Sequence, residues 1–182
     1  MLKKGERGDG MDKLAVLRQY FGFPAFRAGQ QTLIDAVLSG RDALGVMPTG
    51  GGKSLCYELP ALLLPGMTLV VSPLISLMKD QVMALRNAGI PAGCINSSMS
   101  LDELRETYRD ARYGAYKLLY VAPERLLTDG FCSLAQELEI PLVAVDEAHC
   151  ISQWGQDFRP SYLKIVEFLQ RLPRRPAVAA FT

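Results

Sequence analysis

Ala43-Leu44-Gly45-Val46-Met47-Pro48-Thr49-Gly50-Gly51-Gly52-Lys53-Ser54 is the stretch on which the fold turns. An apolar run that does not alternate leads into three glycines and a Lys-Ser pair, and a helix candidate follows. Glycines let the backbone curl so that successive N–H groups converge. The N-terminus of the following helix adds partial positive charge at the same place. The segment therefore predicts a phosphate-binding loop made by Thr49, Gly50, Gly51, Gly52, Lys53 and Ser54, with Lys53 on the β- and γ-phosphates and Ser54 on Mg²⁺. Met47 stands where the usual pattern begins with Gly or Ala. The competing reading is a glycine-rich strand-to-helix turn that carries an exposed lysine.

Outward from this loop, further apolar runs fall at 68–71, 93–95, 118–121, 142–145 and 177–181, beside the first at 43–47. Each is apolar throughout, as a strand covered on both faces must be, and that pattern belongs to parallel sheets layered between helices. Two intervening segments read as amphipathic crossover helices. The first, 74–88, carries Leu77, Met78, Val82 and Leu85 on one stripe; the second, 101–112, is opened by Ser100 with Glu103 in the capping-box position. The fold class is thus α/β, a mainly parallel sheet with helices on both faces. One domain is expected over 11–182, after a charged, glycine-rich tail at 1–10 that has nothing to bury.

A second motif supports the first. Leu142-Val143-Ala144-Val145-Asp146-Glu147-Ala148-His149 places two acids at the carboxyl end of an apolar strand, where ligands gather in open α/β sheets. Asp146 is placed to hold Mg²⁺ through its water shell, and Glu147 to polarise the water that attacks a γ-phosphate. An acidic pair favoured by a helix dipole is the ordinary explanation of Asp-Glu alone; Lys53 upstream weighs against it. His149 is the only histidine in the chain, and its position beside the acids makes it a third catalytic candidate.

Composition narrows the remaining possibilities. The 20 Lys plus Arg against 19 Asp plus Glu give a net charge of +1, so any nucleic-acid contact must come from a local surface. Cys56, Cys94, Cys132 and Cys150 lie far apart, which fits neither a compact disulfide framework nor a C-x-x-C zinc site. No run approaches the roughly 18 apolar residues of a membrane span, and no apolar leader follows the N-terminus; a cytoplasmic protein without membrane partners is expected.

The phosphate loop, the Asp146–His149 string, Val70-Val71-Ser72-Pro73-Leu74-Ile75-Ser76-Leu77-Met78-Lys79-Asp80-Gln81 and Tyr120-Val121-Ala122-Pro123-Glu124-Arg125-Leu126 together, and in this order, resemble the RecQ family of superfamily 2 DNA helicases. The resemblance implies a RecA-like lobe that uses ATP and Mg²⁺. It also implies a second RecA-like lobe as partner, which supplies an arginine to the phosphates, and movement three-prime to five-prime along single-stranded DNA, with duplex junctions as substrates. In such folds the strand after the acids lies between them and the phosphate loop, which puts 177–181 there.

Phe21-Gly22-Phe23-Pro24-Ala25-Phe26-Arg27-Ala28-Gly29-Gln30 is similar to the family's adenine-recognition segment. Gln30 would pair with the base, and Arg27 and Phe23 would flank it; the family often has Tyr at the position of Phe23. Ser152-Gln153-Trp154-Gly155-Gln156-Asp157-Phe158-Arg159-Pro160 is similar to its aromatic-rich loop, so Trp154, Phe158 and Arg159 are expected to meet DNA. Many relatives carry His where Gln156 stands. Ser72, Ser76, Lys79 and Arg125 would contact DNA phosphates. One lobe by itself is expected to bind nucleotide, hydrolyse it very slowly and unwind nothing. An RNA helicase lobe, a stand-alone nucleotide switch and a scaffold without chemistry are the alternatives; the Trp154 loop and the Arg27 to Gln30 spacing favour the DNA helicase over the first.

Overall fold

The apolar runs form six strands: β1 (Ala43–Gly45), β2 (Thr68–Val71), β3 (Ala92–Ile95), β4 (Leu118–Val121), β5 (Leu142–Val145) and β6 (Ala177–Phe181). The computed structural model describes residues 12–48, 50–152 and 156–182. The tail expected at 1–10, together with Thr49 and Trp154, lies outside them. All pairings are parallel, in the order β1-β6-β5-β2-β4-β3. β6 therefore sits between the glycine loop and the acids, as the resemblance implied.

Among the described residues seven helices occur: α1 (Lys13–Phe21) and α2 (Gln30–Leu38) precede β1, and α3 (Leu55–Leu63), α4 (Ile75–Asn87), α5 (Leu101–Arg112), α6 (Asp129–Glu137) and α7 (Lys164–Arg171) cross between the strands. Because side chains alternate along a strand, each apolar run feeds two cores. Val70, Tyr120, Ala144 and Ala179 pack against Tyr57 and Ala61 of α3 and Met78, Val82 and Leu85 of α4. Leu69, Val71, Leu119, Val121 and Val143 point the other way, onto Ala111 of α5, Phe131 and Leu134 of α6, and Ile165 and Phe168 of α7. Each fully buried Leu, Val or Phe contributes roughly 1.5–3 kcal/mol over exposure, which accounts for runs with no polar face.

The capping box of α5 is present in both directions: the Ser100 side chain accepts from the Glu103 amide and the Glu103 carboxylate accepts from the Ser100 amide. β1 ends at Gly45, short of the expected Met47, because the chain is already curling into the glycine loop; Val46 is exposed there. The Met47 amide still donates to Thr182 O at 2.9 Å, so β6 steers the loop even past the end of the strand. Since every strand runs the same way, the loop after β1, the acids after β5 and Thr182 after β6 share one rim of the sheet.

Candidate active site

Gly50 (φ +76°) and Gly52 (φ +80°) take left-handed backbone that a side chain would strain, and this is what turns the chain from β1 into α3. The adenine-segment candidates are laced to that loop. Arg27 Nη1 donates to Gly50 O, and Gln30 Nε2 donates to Gly52 O at 3.1 Å. The other end of the Gln30 amide accepts from Arg27 N at 2.8 Å, and Gln30 is only 2% exposed. Each end of the Gln30 amide thus holds one partner within the protein, which leaves one N–H and one oxygen lone pair for the base that the sequence assigned to it. Phe23 is 48% exposed, free to cover a ring. A hollow of about 550 Å³ opens beside them, bounded by Arg27, Gly29, Met47, Pro48 and Gly51. A larger hollow, about 650 Å³, lies at the opposite rim between Glu137–Pro141 and Leu172–Arg175; none of the candidate residues reaches it.

Ser54 occupies the cap position of α3 without using its side chain as a cap. Its hydroxyl instead accepts from Gln81 Nε2 of α4 at 3.4 Å, and the Gln81 Oε1 is buried with no hydrogen-bond partner among the described residues. A hydroxyl and an orphaned amide oxygen side by side, at a helix N-terminus, form a polar niche suited to phosphate and a hydrated cation.

Across the rim, the Asp146 amide donates to Val71 O at 2.9 Å, and its carboxylate accepts from the Glu147 amide at 3.0 Å. Burial holds the Asp146 carboxyl above the usual carboxylate range and the neighbouring Glu147 charge adds to this, against the pull of Lys53 and His149. Such a group gains from a divalent cation nearby. Among the described residues no cluster of three His, Cys, Asp or Glu could hold a metal by itself. Mg²⁺ does not need one, because it is usually held by one or two carboxylates with waters and substrate phosphates, and Ser54 and Asp146 fit that donor set.

Glu147 is the only described residue other than glycine with positive φ (+49°). From this constrained turn its carboxylate reaches Lys53 Nζ at 3.4 Å and His149 Nδ1 at 3.3 Å. His149 Nδ1 also lies 3.0 Å from Thr182 Oγ1, and Nε2 lies 3.8 Å from Asp157 Oδ2. Lys53 thus converges with the Asp146–His149 string, which lies far from it in sequence.

The residues expected to meet DNA are placed less uniformly. Ser76 and Lys79 are exposed on α4, Arg125 is half-buried in a short 3-10 turn at Pro123–Arg125, and Phe158 is half-buried. Ser72 departs from the expectation of a surface contact. It is fully buried, because β2 is flanked on both sides and its end is capped by the Ser72 amide donating to Val121 O. Arg159 is not simply a free cation either, since its Nη1 donates to Pro73 O at 3.0 Å and ties the aromatic-loop segment to the loop after β2.

Three residues of this rim were not among the sequence candidates. Gln81 carried a signal: it is polar at helical spacing from Met78 and Leu85 of the buried stripe. Thr182 follows directly from the end of a predicted strand. Tyr162, whose hydroxyl donates to Asp146 O at 2.8 Å, gave no sign in the sequence beyond being aromatic.

An all-parallel sheet with helices on both faces, a glycine loop after its edge strand and an acid pair two strands away is a nucleotide-binding lobe of the RecA-like class. The helicase Lhr of Mycobacterium smegmatis, solved with single-stranded DNA and AMP-PNP, shares this fold: TM-score 0.72, 21% identity, covering 94% of this chain and 25% of that one. The chain belongs to the DEAD/DEAH box helicase family, which matches it over residues 27–182. It is 52% identical over 169 residues to the ATP-dependent DNA helicase RecQ of Bacillus subtilis (strain 168), covering 92% of this chain and 29% of that relative. With RecQ of Haemophilus influenzae it shares 49% identity over 166 residues, 91% of this chain and 27% of the relative. The chain therefore spans less than a third of the length of either.

Proposed function

We propose that this chain is the ATP-binding and ATP-hydrolysing lobe of a RecQ-like DNA helicase, which couples hydrolysis to three-prime to five-prime movement on single-stranded DNA and to unwinding. The observation that carries the reading is the 3.4 Å approach of Lys53 Nζ to Glu147 Oε1, two residues 94 positions apart, one in the loop before α3 and the other just after β5. A cation from the glycine loop and the carboxylate suited to activate water then border one space.

In this reading the amides of the glycine loop and of α3 receive the phosphates, and Lys53 exchanges its ion pair with Glu147 for the β- and γ-phosphate oxygens. Ser54 and Asp146 hold Mg²⁺, which when bound neutralises charge on the triphosphate. Glu147, released from Lys53, orients and deprotonates water, while His149 hands its position on to Thr182 and Asp157. Phe23, Arg27 and Gln30 receive the base. Ser76, Lys79, Arg125 and Arg159 face DNA phosphates, and the Trp154–Phe158 segment offers rings for base stacking. The arginine that stabilises charge on the transferring phosphoryl group comes from a second RecA-like lobe. These 182 residues alone bind Mg-ATP weakly, hydrolyse it very slowly and do not unwind DNA.

A titration with a fluorescent ATP analogue, with and without Mg²⁺, tests this directly on the wild type and on Lys53→Ala. Saturable, Mg²⁺-strengthened binding that falls at least tenfold in the variant supports the reading. Equal affinity in both proteins overturns it. Robust DNA-stimulated unwinding by these residues alone would overturn the need for a second lobe.

A further inference from the structure

The backbone that carries the two acids is held from behind by a side chain with no place in the chemistry above. β5 ends at Val145, and the chain then passes through Asp146 into Glu147, whose φ of +49° and ψ of +48° are left-handed without the freedom of glycine. Such a conformation costs on the order of 1–2 kcal/mol and persists only where its surroundings hold it. A ladder of bonds does so. Cys150 N donates to Glu147 O, Arg159 N to Cys150 O and Tyr162 N to Arg159 O, each at 2.9 Å. Tyr162 then closes the circuit: fully buried in the 3-10 turn Pro160–Leu163, it donates its hydroxyl to Asp146 O at 2.8 Å.

This bond falls on the peptide that joins the two acids. Asp146 is thereby held at three points, its amide by Val71 O, its carboxylate Oδ1 by the Glu147 amide and its carbonyl by Tyr162. With the carbonyl held, rotation of the Asp146–Glu147 peptide breaks the Tyr162 bond, which favours the observed directions of the two carboxylates. We infer that Tyr162 is a positioning residue, whose buried hydroxyl sets the peptide between Asp146 and Glu147 and so aims the metal-binding and water-activating carboxylates. The inference rests on the reading of those two acids given above.

Tyr162→Phe tests it, because the ring and its packing stay and only the hydroxyl goes. The readouts are the affinity for a fluorescent ATP analogue in EDTA, the Mg²⁺ concentration that gives half of the metal-dependent gain in affinity, and the thermal midpoint. Phe168→Leu serves as the control; this ring packs on Phe131, 5.6 Å between centroids, in the same core as Tyr162. For Tyr162→Phe the EDTA affinity should stay within twofold of wild type while the Mg²⁺ requirement rises about tenfold, the equivalent of one lost buried hydrogen bond. Phe168→Leu should lower the thermal midpoint and leave the Mg²⁺ requirement unchanged. An unchanged requirement in Tyr162→Phe overturns the inference, as does an equal rise in Phe168→Leu. Asp146→Asn separates the two levels: if it weakens the Mg²⁺ response and Tyr162→Phe does not, only the positioning role fails. If Asp146→Asn and wild type respond alike, the reading of the acids fails and takes the inference with it.

Discussion

Glu58→Gln should make the protein more stable, and only at neutral to alkaline pH. Glu58 lies on α3 one turn after Ser54, against the fully buried Tyr57 and Tyr120, with no basic partner among the described residues. Its one side-chain bond is from the Tyr120 hydroxyl at 3.3 Å. Burial pushes the carboxyl from its ordinary 4.5 up to about 7; the Tyr120 bond opposes this and the charge of Asp146 adds to it. The folded state therefore binds the proton more tightly than the unfolded chain. Stability from the neutral carboxyl is complete below about pH 4.5 and is lost as pH rises through about 7. Each pK unit is worth about 1.4 kcal/mol, so the loss approaches roughly 3 kcal/mol above pH 7. A glutamine accepts the same Tyr120 bond and never ionises. In urea denaturation followed by circular dichroism, the variant should match wild type within about 1 kcal/mol at pH 5 and exceed it by about 2–3 kcal/mol at pH 8. By thermal melting at pH 8, that difference is on the order of 5–10 °C for a domain of this size. A stability difference that is the same at both pH values would refute the reasoning.

Two further outcomes follow from the loop and the aromatic segment. At Gly50 an added Cβ meets nothing within 4 Å, whereas at Gly52 it falls 2.4 Å from Gln30 Nε2, so Gly50→Ala suffers backbone strain alone and Gly52→Ala also loses the Gln30 bond. The first should cost about 1 kcal/mol and the second about 2 kcal/mol or more, read as a larger fall in melting temperature for Gly52→Ala, together with a greater loss of nucleotide affinity. Trp154 is the only tryptophan, so single-stranded DNA should change the intrinsic fluorescence with a midpoint that rises steeply with salt, and no change at saturating DNA would remove the aromatic segment from the interface.

Much of the fold was legible because its signals are local. Runs such as Leu118–Val121 are apolar on both faces, which only a strand covered on both sides requires, and Ser100 with Glu103 fixed the start of α5 to the residue. The shared rim of Lys53, Asp146 and Glu147 was legible because a glycine loop and an acidic strand end are each marked by the residues themselves. Pairings across the sheet were not. That Gln30 spends both ends of its amide on Arg27 and Gly52, that Ser72 is enclosed by β4 and β5, and that Arg159 reaches Pro73 O depend on register and strand order, which no short window encodes. Tyr162 was invisible for the same reason: its partner is a backbone carbonyl, and every residue has one.

The most direct test is a double-mutant cycle on Mg-ATP affinity with Lys53→Ala, Asp146→Asn and the pair. If the glycine loop and the acids border one Mg-triphosphate, the double variant should lose little more than the worse single variant, a coupling of about 1–3 kcal/mol. Losses that simply add, within about 0.5 kcal/mol, would mean that Lys53 and Asp146 serve separate places on the sheet rim.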